Sequence, residues 1–414
     1  MKYLILFTIF MMTLISDPAP KSIGVLQVFI GGFTFILSFT SLLSAKKLVI
    51  DNSRKILITS FAVYVVLFGI STLPSIFRDE DGLSGAMRSL TPYCVFIPLF
   101  VLGLDSKIEI RKIRDVFILI GIIHSFYLIY LFIFNPNASL GLTDYRYLRT
   151  TVLDPRTTHP LFFSSIFLPL SNIFGEKIRL KYRLFNILIV ILSFFAGITT
   201  QTRSQIIAII CGVIFFVFFY FIYTLKRSII STIIEFGKVI VLLLAFAGTS
   251  YIVVSPVRSI TDAILQRNDD VGDNGRNGEL FSVLNVYSQS SVFQILFGIG
   301  AGTEFSVEEA EDRSYVHNSI IYFLAYGGIV GLLVMIFLHY ESLRILLKNC
   351  KYETNPDSLS FASLLTALFI YVQFFAVHKT LPYNLMLVLI LSVSMKSTAI
   401  LQNDFKEIQK KVFF

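Results

Sequence analysis

Apolar residues in this chain neither alternate with polar ones nor mark a single helical face. They come in long runs separated by polar connections. A helix needs about 20 mostly apolar residues to cross the hydrocarbon core of a bilayer. Runs that fit, with soft ends, lie at 3–16, 22–43, 56–77, 90–104, 114–134, 159–174, 183–199, 203–225, 232–254, 315–339, 358–377 and 381–400. The pattern predicts an all-α, polytopic membrane protein with about 12 transmembrane helices. The short first run follows Lys2, as in a signal peptide. No small-residue cleavage pattern follows it, and Asp17-Pro18-Ala19-Pro20 reads as a tight turn, so an uncleaved first helix is expected.

Two connections are too long to be simple turns, residues 135–158 and 255–314. The second is a long loop between the ninth and tenth expected helices. It divides the chain into helices 1–9 (1–254), the loop (255–314), and helices 10–12 with a polar tail (315–414). Long loops without a fold of their own tend to be functional or disordered. In this one Leu280, Val283, Leu284 and Tyr287 recur at helical spacing, which predicts an amphipathic helix over 278–288, on the membrane surface or capping a cavity.

Composition agrees with the pattern. Only 15% of residues are charged and mean hydropathy is +0.75, against roughly 25% charged residues in soluble domains. The net charge of +8 is read as topology rather than as nucleic-acid binding, because cytoplasmic loops collect Lys and Arg. With the N-terminus inside, clusters such as Lys46, Lys47, Arg54 and Lys55, or Lys177, Arg179, Lys181 and Arg183, all fall in the cytoplasm. Both termini are then cytoplasmic and residues 255–314 extracytoplasmic. Cys94, Cys211 and Cys350 are far apart, with neither a disulfide framework nor ligand spacing.

The expected outer segments hold two lysines, Lys21 and Lys379. Their other cations are all arginine: Arg78, Arg88, Arg146, Arg149, Arg156, Arg203, Arg258, Arg267, Arg276 and Arg313. Positive charge outside opposes the topology signal, and the planar guanidinium fork suits bidentate phosphate binding. The plainer alternative is salt bridging to loop carboxylates. Arg203 lies in a very short turn, Thr199 to Gln205, between two strongly apolar helices, where an ionisable residue is a functional candidate, with snorkelling into the interface as the alternative. His317 opens the tenth span. At a helix N-terminus the macrodipole disfavours its protonation, leaving a neutral imidazole able to act as a base; an interfacial histidine that only hydrogen-bonds a loop is the equal alternative.

Phe297-Gly298-Ile299-Gly300-Ala301-Gly302 lacks the strand–helix setting of a dinucleotide site, so it is read as a turn or a close backbone approach to a ligand. Gly327 and Gly331 have the spacing of close helix packing. Asp79, Glu80 and Asp81, and the pair Asp269 and Asp270, complete no ligand set, so no metal and no cofactor are expected.

Taken together, Thr199-Thr200-Gln201-Thr202-Arg203-Ser204, Gly275-Arg276, the run Leu296 to Gly302, His317-Asn318 and the glycines after it resemble the O-antigen polymerase and O-antigen ligase superfamily. The motifs cover roughly residues 195–335; the N-terminal half is similar only in layout. The resemblance implies a membrane glycosyltransferase of a bacterial inner membrane. It would act at the outer face on an undecaprenyl-diphosphate-linked glycan, without a metal or a nucleotide sugar. On that reading Arg203, Arg276 and His317 form the catalytic group. Arg146, Arg149, Arg156, His159, Arg267, Asn318 and Arg313 would contact substrate. Membrane lipid, a chain-length regulator and a flippase are the expected partners, and nucleic acid is not. Transfer to another lipid-linked repeat (a polymerase) and transfer to lipid A core (a ligase) both remain open, as does a transporter or flippase. Transporters, however, usually show repeated halves and mid-span charge, and this chain has no evident repeat.

The topology has a direct test. A cysteine placed at Ser306 should be labelled by an impermeant maleimide added outside intact cells, and one at Ser53 should not. The reverse pattern would invert every assignment above.

Overall fold

The structure, a computed structural model, describes residues 110–134, 160–175, 178–200, 203–224, 276–300, 305–307, 310–313, 318–350, 356–374 and 386–394. It also describes scattered helical positions between 33 and 73, and residues 237 and 383. The expected spans 3–16 and 90–104 and the connection 135–158 lie outside the described residues, as does much of 22–43, 56–77 and 232–254.

Among the described residues the chain is helical apart from one short hairpin. Helix α1 is Ile110–Phe134. A 3-10 turn, Pro160–Phe162, leads into α2, Phe163–Phe167, and α3, Leu170–Phe174. Then come α4, Leu180–Thr199, and α5, Arg203–Thr224. Helices α6, Arg276–Ser288, and α7, Val292–Phe297, precede strands β1, Phe305–Val307, and β2, Ala310–Arg313. Helix α8 is Ser319–Cys350 and α9 is Asp357–Tyr371. Four of these segments are long and apolar enough to cross a membrane: Ile110–Tyr130, Leu180–Thr199, Ser204–Thr224 and Ser319–Cys350.

The strands pair antiparallel, Phe305 opposite Arg313 and Val307 opposite Ala310, with a register shift between the two pairs. This hairpin departs from the all-α expectation. It falls inside the 255–314 loop, where the β-prone Phe305 and Val307 stand two apart and acidic residues fill the neighbouring positions, so alternation replaces the helical period.

The chain divides into two compact units, one from 1–110, 273–349 and 372–414 and the other from 111–272 and 350–371. The second unit is built around helices buried on all sides. Residues 160–171 and most of α9 are inaccessible, while α4 and α5 expose Leu184, Leu188, Ile207, Ile210, Ile214 and Phe218. A helix that is apolar all round belongs in an interior, and one with an exposed apolar face suits lipid contact. Packing inside the unit uses small hydroxyls. Ser193 donates to Ser165 at 2.7 Å, and Ser164 donates to the Phe117 carbonyl of α1 at 2.6 Å. A Cβ on Gly121 would stand 2.6 Å from Ser164 Oγ, so only glycine lets α1 and α2 approach this closely.

One buried ion pair closes the end of this unit expected to face the cytoplasm. Arg114 Nη1 meets Asp357 Oδ1 at 2.5 Å and donates to Ser171 Oγ at 3.2 Å, and Arg114 also bonds Asp115. Asp357 sits in the first turn of α9, where the helix dipole favours an anion. Removing one partner of a buried pair strands the other charge, which costs about 3–5 kcal/mol. Asp357→Asn should therefore lower the unfolding temperature of the detergent-solubilised protein. Adding Arg114→Met should recover part of the loss, and equal unfolding temperatures for wild type and Asp357→Asn would contradict the role given to this pair.

Candidate functional site

In the second unit, the end that includes Arg203 is held by polar groups in an otherwise apolar setting. Thr199 and Thr200 turn their hydroxyls back onto the carbonyls of Ala196 and Gly197, each at 2.7 Å, and so satisfy the last turn of α4. Arg203 is the first residue of α5. Ser204 and Gln205 behind it are buried, and Gln205 Nε2 donates to the Tyr371 hydroxyl at 3.1 Å. The Tyr371 ring lies 5.6 Å from that of Phe163, and the Phe162 ring would stand 3.0 Å from a Cβ on Gly197. The backbone of Arg203 is thus anchored from behind at the same end of the unit as Pro160, the residue after His159. Neither Gln205 nor Tyr371 was a candidate from sequence. The only signal was a glutamine and a tyrosine within apolar runs, and their pairing spans 166 positions.

In the first unit, Arg276 is the first residue of α6. Arg313 ends β2 opposite Phe305, and β1 packs beside α6. Asn318 caps α8. Its Oδ1 accepts from the Ile321 N–H at 3.1 Å, and its Nδ2 donates to the Gln373 carbonyl at 3.3 Å. Gln373 Nε2 donates in turn to Ser319 Oγ at 2.8 Å. The bonds of Asn318 are those of an N-cap that fixes the helix start beside residue 317. His317, Arg146, Arg149, Arg156, His159 and Arg267 lie outside the described residues. Of Arg203, Arg276 and Arg313 the structure describes the backbone.

The glycine motifs meet each other. Helix α8 is interrupted at Gly328, with φ 65° and ψ −170°. Gly298 also has a positive φ of 91°, and a Cβ there would lie 2.1 Å from the Tyr326 carbonyl oxygen. A Cβ on Gly328 would lie 2.3 Å from the Leu296 carbonyl oxygen. The Ile299 N–H donates to the Ala325 carbonyl at 2.8 Å. The Tyr287 hydroxyl donates to the Ile295 carbonyl and is hydrogen-bonded by the backbone of Ile329, just past the break. The close backbone approach expected at 297–302 is therefore made to α8. Among the described residues a Cβ on Gly327 would meet nothing within 4 Å, and one on Gly331 only the Phe323 carbonyl at 3.6 Å. The tight contact belongs to Gly328, not to the Gly327/Gly331 spacing.

No known protein family and no curated protein matches the chain. Among the described residues, no group of three His, Cys, Asp or Glu side chains is placed to hold a metal ion. What the described geometry offers is two rigidly anchored helix starts, at Arg203 and at Ser319, and a glycine-locked connection from α6 to α8.

The lock predicts an asymmetry between adjacent glycines. Gly328→Ala forces a side chain against main chain at a positive φ and should destabilise by about 1–3 kcal/mol. It should also open residues 289–300 to limited proteolysis. Gly327→Ala, with open space around the new methyl and a gain in helix propensity, should hold or slightly raise stability and leave the proteolysis pattern unchanged. Equal behaviour of the two variants would remove the lock.

Proposed function

We propose that the protein is a metal-independent glycan polymerase of a bacterial inner membrane. It transfers an undecaprenyl-diphosphate-linked oligosaccharide to a sugar hydroxyl of another lipid-linked repeat at the outer face. The observation that supports this best is the lock just described. It joins α6, headed by Arg276, to α8, whose start is fixed beside His317 by Asn318. Three of the motifs behind the family resemblance, at Arg276, at Gly298 and at Asn318, thus fall within one unit, and the Arg203 turn belongs to the other.

The reaction breaks the bond between the donor anomeric carbon and the diphosphate oxygen, and forms one between that carbon and the acceptor oxygen. The acceptor proton goes to His317, whose place at a helix start favours the neutral imidazole. Negative charge collects on the departing diphosphate. Arg203 and Arg276 are assigned to it, because a guanidinium fork can hold two oxygens at once. Arg146, Arg149, Arg156, Arg267, Arg313 and His159 are assigned to the phosphates and glycan of the two lipid-linked substrates.

Glycan length on a strain lacking the gene is the test. Loss of long chains with accumulation of single lipid-linked repeats at the outer face is expected, and His317→Ala at normal protein level should not restore them. Arg203→Lys and Arg276→Lys should each lower polymer yield at least tenfold, since lysine lacks the fork. Long lipid-linked chains left unattached would identify a ligase instead. Repeats held at the cytoplasmic face would identify a flippase. Full-length polymer in the His317→Ala strain would remove His317 from the chemistry.

A further inference from the structure

The apolar part of α8 runs from Ser319 to Leu338, before His339, Glu341 and Arg344. At 1.5 Å per residue this stretch is about 30 Å long, the thickness of a bilayer core. Gly328 stands at its middle, about 15 Å from the Asn318 cap. The backbone of 296–298 touches α8 at that level, so close that a Cβ at Gly298 or Gly328 would meet main chain. A loop resting on the membrane surface would reach the first turn of α8 and no further.

The local chemistry fits such depth. No residue from 280 to 303 is charged. Polar backbone is satisfied where regular structure stops. Gly298 N–H donates to the Gln294 carbonyl at 2.7 Å, Ile299 N–H to Ala325, and the Tyr287 hydroxyl to Ile295. Non-helical backbone is tolerated at membrane depth only when its groups are satisfied within the protein or face water. Phe281 is 68% exposed, Val292 74%, Phe293 56% and Leu296 40%. In water that would be an unusually open apolar face; against acyl chains it is the expected one. Asn285, Ser288, Gln289 and Ser291 are exposed as well, and hydrocarbon would penalise them. Their side of the element must border water.

We propose that residues 280–300 form a re-entrant element that carries α7 to the middle of the bilayer, its apolar side chains against lipid acyl chains and its polar turn at 288–291 facing a water-filled recess. On α8, Ile329, Leu333 and Ile336 are also open.

The chain contains no tryptophan, so a single introduced one reports its own surroundings. The full-length protein would be reconstituted in phosphatidylethanolamine–phosphatidylglycerol vesicles doped with phosphatidylcholine brominated either deep or shallow in its acyl chains. Phe293→Trp should emit at short wavelength. It should lose most of its emission to the deep-brominated lipid, less to the shallow one, and almost none to external iodide. Gln289→Trp should respond to iodide, as should Ser306→Trp in the charged hairpin. Val292→Trp repeats the first measurement should Phe293→Trp not fold. Iodide quenching of the tryptophan at 293 or 292, or stronger quenching there by the shallow lipid, would overturn the proposal. So would lipid quenching at 289.

Discussion

Inside hydrocarbon a polypeptide must satisfy its own N–H and C=O groups, because no water is there to do so. An unbroken helix meets that requirement automatically, but α8 is interrupted at Gly328 and has to meet it another way. The segment around 287–299 supplies what is missing: Ile299 takes the Ala325 carbonyl, and the Tyr287 hydroxyl joins the Ile295 carbonyl to the backbone of Ile329. The break and the segment are therefore one feature. Take away the segment and α8 is left with unpaired backbone; straighten α8 and the segment has no seat. The course of the chain from α6 through α7 to Ile299 follows from this exchange.

The second unit solves the related problem of bringing helices together where lipid tails are as apolar as the side chains. Its answer is small hydroxyls and close backbone approach: Ser125, Ser164, Ser165 and Ser193 between α1, α2 and α4, with Gly121 admitting α2. Among the described residues of this unit the buried charges are Arg114 and Asp357, and Ser171 and Asp115 complete the arginine's bonding. Most of the buried side-chain hydrogen bonds here run from a hydroxyl to a backbone carbonyl or to another serine, so the pairing of Gln205 with Tyr371, behind the Arg203 helix start, stands out.

Features fixed by local run length were legible in the sequence. The runs 114–134, 183–199 and 203–225 correspond closely to α1, α4 and α5. The helix over 278–288 was legible from its spacing and lies within α6. The end of α8 was not, because the helix continues past the apolar run through the Glu341–Arg344 pair to Cys350, and hydropathy registers polarity rather than backbone conformation. The hairpin was hidden in a loop whose acidic residues mask a short alternation. For the site, residue types could be read but not partners. Asn318 was legible as part of a motif, yet its bonds to Ile321 and Gln373 depend on a helix start and a chain segment brought from 55 residues away. The Gly328 break was invisible because a glycine pair in an apolar run serves equally for helix packing.

The obstacle facing any side chain at Gly298 or Gly328 is main chain: the carbonyl of Tyr326 in one case and of Leu296 in the other. Steric conflicts between side chains can be repaired over generations by shrinking a neighbour, but a carbonyl cannot be shrunk. Each glycine is therefore unforgiving on its own account, and no second-site change rescues its loss. At the exposed apolar positions around them, such as Phe293, Leu333 and Ile336, Leu, Ile, Phe and Val would serve almost interchangeably, so tolerance to substitution changes sharply within a few residues.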